Sequence, residues 1–358
     1  MITSKQAHIH VAAITHPGMS GKNNEDQYAI SAYTLGEDAP TPVVLGIVAD
    51  GIGGHNAGEV ASEIAVNIIS TAIAESDGSE PLQSLVLGTQ QASMMIRQEA
   101  EAADDSKGMG STCVCALVID DQLYIASMGD SRIYLLRNGK IQRLTTDHSW
   151  IQEAIEHRVI SKEEAKNHPR RHVIHRYLGS AKPAEVDVRL RLSEGETTEE
   201  SKANQGMELL PRDHLLLCSD GLTDLVSDEE ILAIIQEMPS QEEALQKLVD
   251  LANERGGHDN ITIVSLLVPK TKKLKPVKLS NAPIWFSILG VLIIIVGNII
   301  TYFWWKSSIL PPPPVATQAA VQETIAPTET PLPATETPIP TLEAQATYTP
   351  WPTNTPED

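Results

Sequence analysis

Residues 42–50 read Pro-Val-Val-Leu-Gly-Ile-Val-Ala-Asp, and Gly51 follows. A short apolar run bounded by Pro and by Asp-Gly reads as a buried β-strand that stops on a carboxylate. Such an Asp is costly unless it is hydrogen-bonded or faces a cation. The arrangement recurs along the chain. Asn24-Glu25-Asp26 precedes YAISAYTL (28–35), and Asp130 follows LYIASMG (123–129). Asp220-Gly221 ends DHLLLCSD (213–220), and Asp259-Asn260 opens NITIVSLLV (260–268). One Asp-Gly is a common turn; five Asp and a Glu flanking apolar strands form a pattern. Carboxylate oxygens without a supporting His or Cys cluster favour Mg2+ or Mn2+ over Zn2+.

The remaining strand-like runs are HIHVAAITH (8–16), TCVCALVI (112–119), RIYLLRNG (132–139) and VDVRLRL (186–192). Helical patterns cover 57–74, 81–104, 149–157, 162–167, 228–237 and 241–255. Arg137-Asn138-Gly139-Lys140 predicts a tight hairpin, and Ser227-Asp228-Glu229-Glu230 predicts a capping box. Hairpin-linked strands with helices in blocks imply an α+β fold with antiparallel sheets. The polar, acidic stretch 193–207 reads as a solvated loop. Cys113 and Cys115, two apart on one strand, share a face and read as core fillers.

The chain has 358 residues and a formal net charge of −20, which argues against a nucleic-acid partner. A hydrophobic content of 41 % excludes wholesale disorder. All three Cys precede residue 219, so no disulfide framework is implied. Residues 1–269 carry the whole −20, with 21 basic and 41 acidic side chains.

A Lys-rich linker, 270–282, holds five Lys and leads into Pro283–Trp305, 23 residues without a charge. As a helix this stretch is about 34 Å long, enough for the roughly 30 Å hydrocarbon core. Trp285 at one end and Tyr302, Trp304 and Trp305 at the other match interfacial aromatic belts. Only Lys306 follows closely, so the positive-inside rule places 1–269 in the cytoplasm and 306–358 outside. The first sixteen residues lack a long apolar core, which predicts no secretory signal. The linker Lys offset the repulsion between an acidic domain and an anionic leaflet. The tail from 306 is rich in Pro, Thr, Ala and Glu and reads as a disordered, partly polyproline II stalk.

Seven stretches, in order, carry a family resemblance: NNEDQY (23–28), VADGIGGHNAGEVAS (48–62), GMGSTCVCALV (108–118), GDSRIYLLRNGKIQRLTTDHS (129–149), HPRRHVIHRYLG (168–179), LLLCSDGLTDLVSDEEI (215–231) and GGHDNITIV (256–264). Residues 8–268 resemble the metal-dependent Ser/Thr protein phosphatases of type 2C, the PPM family, in its bacterial form. The resemblance implies a four-layer α/β/β/α sandwich of two antiparallel sheets with a metal cluster at one end. It implies two Mn2+ or Mg2+ ions, with Asp50 bridging them, the Gly51 carbonyl on the first and Asp220 and Asp259 on the second. Glu25 and Asp26 match positions that ligate directly or through water. Asp130 with Asp220 matches a third, weaker site, and Thr112 and Asn260 match supporting positions. The implied reaction is hydrolysis of phosphoserine and phosphothreonine in proteins by a water activated between the ions. Asp50, Asp220 and Asp259 then act through the metals, opposite a Ser/Thr kinase.

Some positions depart from the family pattern. Gly21 stands where an Arg commonly contacts the substrate phosphate; Lys22, Arg170, Arg171 and Arg176 are the candidates to replace it. Ile52 follows Asp50-Gly51, where the bacterial form usually has Met. His55, nearby, reads as a loop histidine. His168, His172, His175 and His258 suggest metal ligands, but HPRRHVIH matches a substrate-binding flap, the better reading. Gly21 also motivates an alternative, a catalytically weak phosphatase-like binding or regulatory module. The retained Asp50, Asp220 and Asp259 weigh against it.

Overall fold

The structure, a computed structural model, describes residues 1–270 apart from 38, 54–56, 103–105 and 166–167. The expected span 283–305, the linker beyond Lys270, the tail and His55 lie outside the described residues.

The chain begins with β1 (Ile2–Thr3), β2 (His10–His16), β3 (Asp26–Leu35) and β4 (Thr41–Ile52), then α1 (Ala57–Glu75) and α2 (Pro81–Ala102). Next come β5 (Gly110–Ser111), β6 (Cys113–Ile119), β7 (Gln122–Met128), β8 (Arg132–Arg137) and β9 (Lys140–Arg143). Short helices α3 (Trp150–Glu156), α4 (Lys162–Ala165) and α5 (Thr198–Ala203) precede β10 (Met207–Glu208) and β11 (His214–Cys218). Then α6 (Asp220–Thr223), α7 (Asp228–Glu237), α8 (Gln241–Glu254) and β12 (Ile261–Leu267) complete the fold. One sheet runs β1-β3-β4-β6-β7-β10, with β5 paired to β4; the other runs β2-β12-β11-β8-β9. Every pairing is antiparallel.

Strand β4 is unbroken in its apolarity because both its faces are covered. Val43, Leu45, Ile47 and Ala49 pack with Ile69, Ile73, Leu85 and Ile96 of α1 and α2. Val44 and Val48 face the other way and join Leu217, Val264 and Leu266 of the second sheet. Gly46 lies on that inner face, where a Cβ would come within 3.3 Å of the Leu266 side chain. The outer face of the second sheet, with Tyr134, Leu216, Cys218 and Ile263, packs on Ile231 of α7 and Leu245, Leu248 and Val249 of α8. Three cores between four layers give the expected α/β/β/α sandwich.

Helix α1 is long and apolar enough to cross a membrane by length and composition. Its Ala61, Ala65, Ile69 and Ile73 are instead buried in the sandwich, so its apolarity serves the core.

The hairpin and the capping box form as expected: Asn138 and Gly139 have φ of 53° and 75°, and Ser227 and Glu230 cap α7 reciprocally. Ends of the other predicted elements differ from the observed ones by a residue or two. Two expectations are corrected. VDVRLRL forms no strand: Asp187 alone bridges to Ser127. Its alternation instead comes from Leu190 and Leu192 dipping into the inter-sheet core. Stretch 193–207 is no loose loop either. Thr197 and Glu200 form a capping box on α5, and Ser201 is buried. Gln205 then acts as a surrogate strand for β7. Its Oε1 accepts from the Ile125 amide at 2.9 Å, and its Nε2 donates to the Ile125 carbonyl at 2.8 Å and to the Val188 carbonyl at 2.7 Å. Gln205→Ala strands the backbone groups of Ile125, at a cost of about 1–3 kcal/mol. Thermal melting of the variant should show that loss with catalytic turnover unchanged; an unaltered Tm would refute the role.

Candidate metal centre

The strand-end carboxylates gather at one end of the sandwich. Asp26 opens β3 directly opposite Asp50 near the end of β4. Asp130 sits in the turn from β7 to β8, Asp220 starts α6 just beyond β11, and Asp259 precedes β12. Glycines permit this convergence. A Cβ on Gly51 would overlap the Gly58 carbonyl and stand 2.6 Å from the Glu25 carbonyl, and one on Gly221 would overlap the Asn260 carbonyl.

The supporting residues found from sequence hold the backbone of this end. Thr112 Oγ1 accepts from the Asp50 amide at 3.1 Å, and the Thr112 amide donates to the Asp50 carbonyl at 2.8 Å. Asn260 Oδ1 accepts from the Glu25 amide at 2.7 Å, while its Nδ2 donates to the carbonyls of Pro17 and Asn23.

The carboxylates themselves are poorly satisfied. Asp26 is 3 % exposed and Asp130 8 % exposed. Asp26 Oδ2 accepts from Ser219 Oγ at 2.7 Å, but Asp26 Oδ1, Asp130 Oδ1 and Asp220 Oδ1 are buried without a partner. Burial, reinforced by the neighbouring carboxylates, pushes Asp50 and Asp220 well above the usual range. Desolvation likewise lifts Asp26 and Asp130 to about 7 and raises Glu25, with Asp259 adding to the shifts of Asp26 and Glu25. Unsatisfied hard oxygens that repel one another fit a divalent cation, which would supply the missing charge.

The acidic end opens into a cleft of about 430 Å3 lined by Asp130, Asp220, Arg171 and His172 among others. A larger cleft of about 930 Å3, flanked by Leu210, Leu232 and Ile235, contains none of the site carboxylates. Of the phosphate-binding candidates, Arg171 reaches the acidic cleft and Lys22 acts electrostatically on Glu25. Arg170 lies over the Trp150 ring at 5.2 Å, and Arg176 faces Glu185 at 3.7 Å. The histidine list also separates: His168 stacks on Trp150 at 4.5 Å, His175 lies 3.5 Å from Glu153, and His172 turns to the cleft. The three cysteines are buried, and burial pushes the Cys218 thiol up to about 12, as befits core residues.

Two residues in the motif ending at 149 were not singled out from sequence. The amide of Gly129, next to Asp130, donates to His148 Nδ1 at 3.0 Å, and the His148 amide returns a bond to the Gly129 carbonyl at 2.9 Å. Nδ1 accepts, so the ring proton lies on Nε2, which donates to Asp187 at 3.0 Å. Asp147 binds Arg132 through both carboxylate oxygens. The sequence signal was their place inside a matched motif; Arg132 lies in that motif too, whereas Asp187, the partner of His148, lies on another segment.

Fold and site together define a protein built around a divalent-cation centre at the end of a two-sheet sandwich. Residues 19–165 and 205–261 match the family Protein phosphatase 2C. The serine/threonine phosphatase stp of Listeria welshimeri is 39 % identical over 260 residues, 72 % of this chain and 94 % of that protein. The crystal structure of the Mycobacterium tuberculosis serine/threonine phosphatase PstP/Ppp superimposes with a TM-score of 0.61 at 32 % identity, covering 73 % of this chain and 99 % of that one. The PstP catalytic domain in complex with two manganese ions gives a TM-score of 0.58 at 32 % identity, covering 73 % and 98 %. The chain belongs to the protein phosphatase 2C family.

Proposed function

We propose that the chain is a membrane-tethered, metal-dependent protein phosphatase that hydrolyses phosphoserine and phosphothreonine in cytoplasmic proteins. The observation that carries the reading is the set of orphaned buried oxygens on Asp26, Asp130 and Asp220 around Asp50. Mn2+ or Mg2+ is the expected occupant, as in the manganese-bound relative. Two such ions, when bound, supply a more acidic water and neutralise charge on the phosphoryl oxygens. Asp50, the Gly51 carbonyl, Asp220 and Asp259 would hold them, with Glu25 and Asp26 beside the first pair and Asp130 at a third position. Thr112 and Asn260 fix the backbones that carry these ligands. Lys22 and Arg171 are the cations placed to attract the substrate phosphate in place of the Arg expected at Gly21. Lys22, as a point charge, forgoes bidentate recognition.

The linker 270–282, the span 283–305 and the tail 306–358 would tether this domain to the cytoplasmic face of the cell membrane, where it opposes a Ser/Thr kinase. Their sequence supports this part of the reading. The test uses the full chain. Phosphate release from a phosphothreonine peptide should require Mn2+ or Mg2+ and cease with EDTA; a folded, metal-binding chain that releases none refutes the phosphatase reading. Fractionated cells should hold the chain in membranes, with the tail cleaved by external protease; a freely soluble full-length chain refutes the tether.

A further inference from the structure

We propose, on the membrane-tethered reading, that the larger cleft docks on the cytoplasmic leaflet and seats an anionic phospholipid, so that the acidic end of the sandwich faces away from the bilayer. Strand register fixes where this cleft lies. His10, Leu267, His214 and Leu136 are neighbours in one row across β2, β12, β11 and β8, and all four line the cleft. The carboxylates stand at the other ends of these strands: Asp130 precedes β8, Asp220 follows β11 and Asp259 precedes β12. The cleft is therefore a strand's length, roughly 15–20 Å, from the acidic cluster.

Its chemistry suits an amphipathic ligand. The floor is apolar: Leu232 and Ile235 are half-buried, and Leu210 stays 41 % exposed. Arg212 and Lys270, both exposed, stand on the rim. The acid among the lining residues, Asp213, is buried and held by Arg137, so it does not neutralise them. The volume of about 930 Å3 is that of a small-ligand cleft. A head-group phosphate meets Arg212 and Lys270, and an acyl chain lies over Leu210, Leu232 and Ile235. A free phosphate ion would use the cations and leave the apolar floor in water.

Charge orients the domain in the same sense. An anionic leaflet attracts cations near its surface and repels carboxylates. The described chain ends at Lys270 on the rim of the cleft. By sequence, four further Lys lie between it and the expected span. The leaflet thus draws in the end with Arg212 and Lys270 and pushes off the end with Asp130, Asp220 and Asp259. The catalytic cleft is left open to phosphoproteins in the cytoplasm.

The three native cysteines are buried, so a Cys introduced at the surface takes a fluorophore selectively. Gln236→Cys places the label in the cleft, at an exposed position. Ser20→Cys places it between β2 and β3, at the acidic end. The full chain is reconstituted in phosphatidylcholine vesicles with increasing phosphatidylglycerol, part of it carrying a nitroxide quencher. The label at 236 should be quenched and the label at 20 should not. Arg212→Gln and Lys270→Gln should each raise the phosphatidylglycerol fraction needed for half-maximal quenching about fivefold. Equal quenching at the two positions would overturn the proposal, as would quenching at 236 indifferent to phosphatidylglycerol or to both substitutions. Shielding of the label in lipid-free detergent that grows with protein concentration would assign the cleft to a second copy of the chain and overturn it too. Flotation of the same vesicles reads the tether separately. A chain that floats without quenching at 236 refutes the docking and leaves the tether standing; a chain that stays in solution refutes both.

Discussion

Asp220→Asn is expected to lower metal-dependent phosphate release by about three orders of magnitude or more while making the metal-free protein more stable. The two effects share one cause. Without an ion, Asp220 is desolvated and faces Asp130, Asp224, Asp259 and Asp26. Turning it neutral removes repulsion that only a cation otherwise offsets, a trade of stability against function. The same strain gives a pH signature. Asp26 and Asp130 hold protons up to about 7, and burial raises Asp50 and Asp220 as well, against an unfolded value of 3.8. The folded state therefore binds more protons than the unfolded chain, and stability of the metal-free protein falls as pH rises through these folded-state values. Burial holds His8 and His214 down, which acts in the opposite sense, but only below about 6.5. Melting in EDTA between pH 6.5 and 7.5 thus isolates the carboxylates, because the buried thiols, raised above their ordinary value, contribute only at higher pH. Tm should decline across that window in the wild type, decline less in Asp220→Asn, and rise with Mn2+ at the upper end. A flat or rising metal-free Tm would show that the cluster is not strained.

Asp147→Asn is expected to destabilise the fold by about 3 kcal/mol, because it removes the buried carboxylate that holds two partly buried guanidinium groups. The Asp147 carboxylate takes Arg132 Nε at 3.1 Å, Arg132 Nη2 at 2.8 Å and Arg143 Nη1 at 3.1 Å. Arg132 also donates to the Tyr134 hydroxyl, which donates to Asp228 at 2.8 Å. Burial alone would raise the Asp147 carboxyl, yet Arg132 and Arg143 outweigh it and hold the group below its ordinary value. The size of the loss corresponds to a fall in Tm of about 10 °C. Asp147→Asn with Arg132→Met should recover part of it, since an apolar pair avoids the unpaired charge. A single variant melting within about 2 °C of the wild type would contradict this.

Periodicity made the strands and long helices legible, and Asp at strand ends marked the carboxylates of the centre. What stayed hidden depends on partners distant in the chain. Gln205 looks like any polar residue in an acidic stretch until β7 is seen to lack a neighbour there. VDVRLRL carries the alternation of a strand because Leu190 and Leu192 face the core, although no ladder forms around them. The four histidines suggested metal ligands, with a substrate-binding flap the better reading; the fold sets three of them apart, His168 on Trp150, His175 beside Glu153 and His172 at the cleft. His148 could be read only with Asp187 in view.

Strand β12 lies between β2 and β11, with Ile261 opposite His16 and Leu267 opposite His10. The second sheet therefore cannot close around its centre until the last strand of the domain has emerged from the ribosome. Until then β2 has no neighbour on that side, and loop closure spans nearly the whole domain, a long-range contact of the slow-forming kind. Asp259 and Asn260, which enter with β12, arrive last. The acidic cluster is thus completed in the same step that completes the fold, so a nascent chain has its full set of carboxylates only when it acquires its final strand.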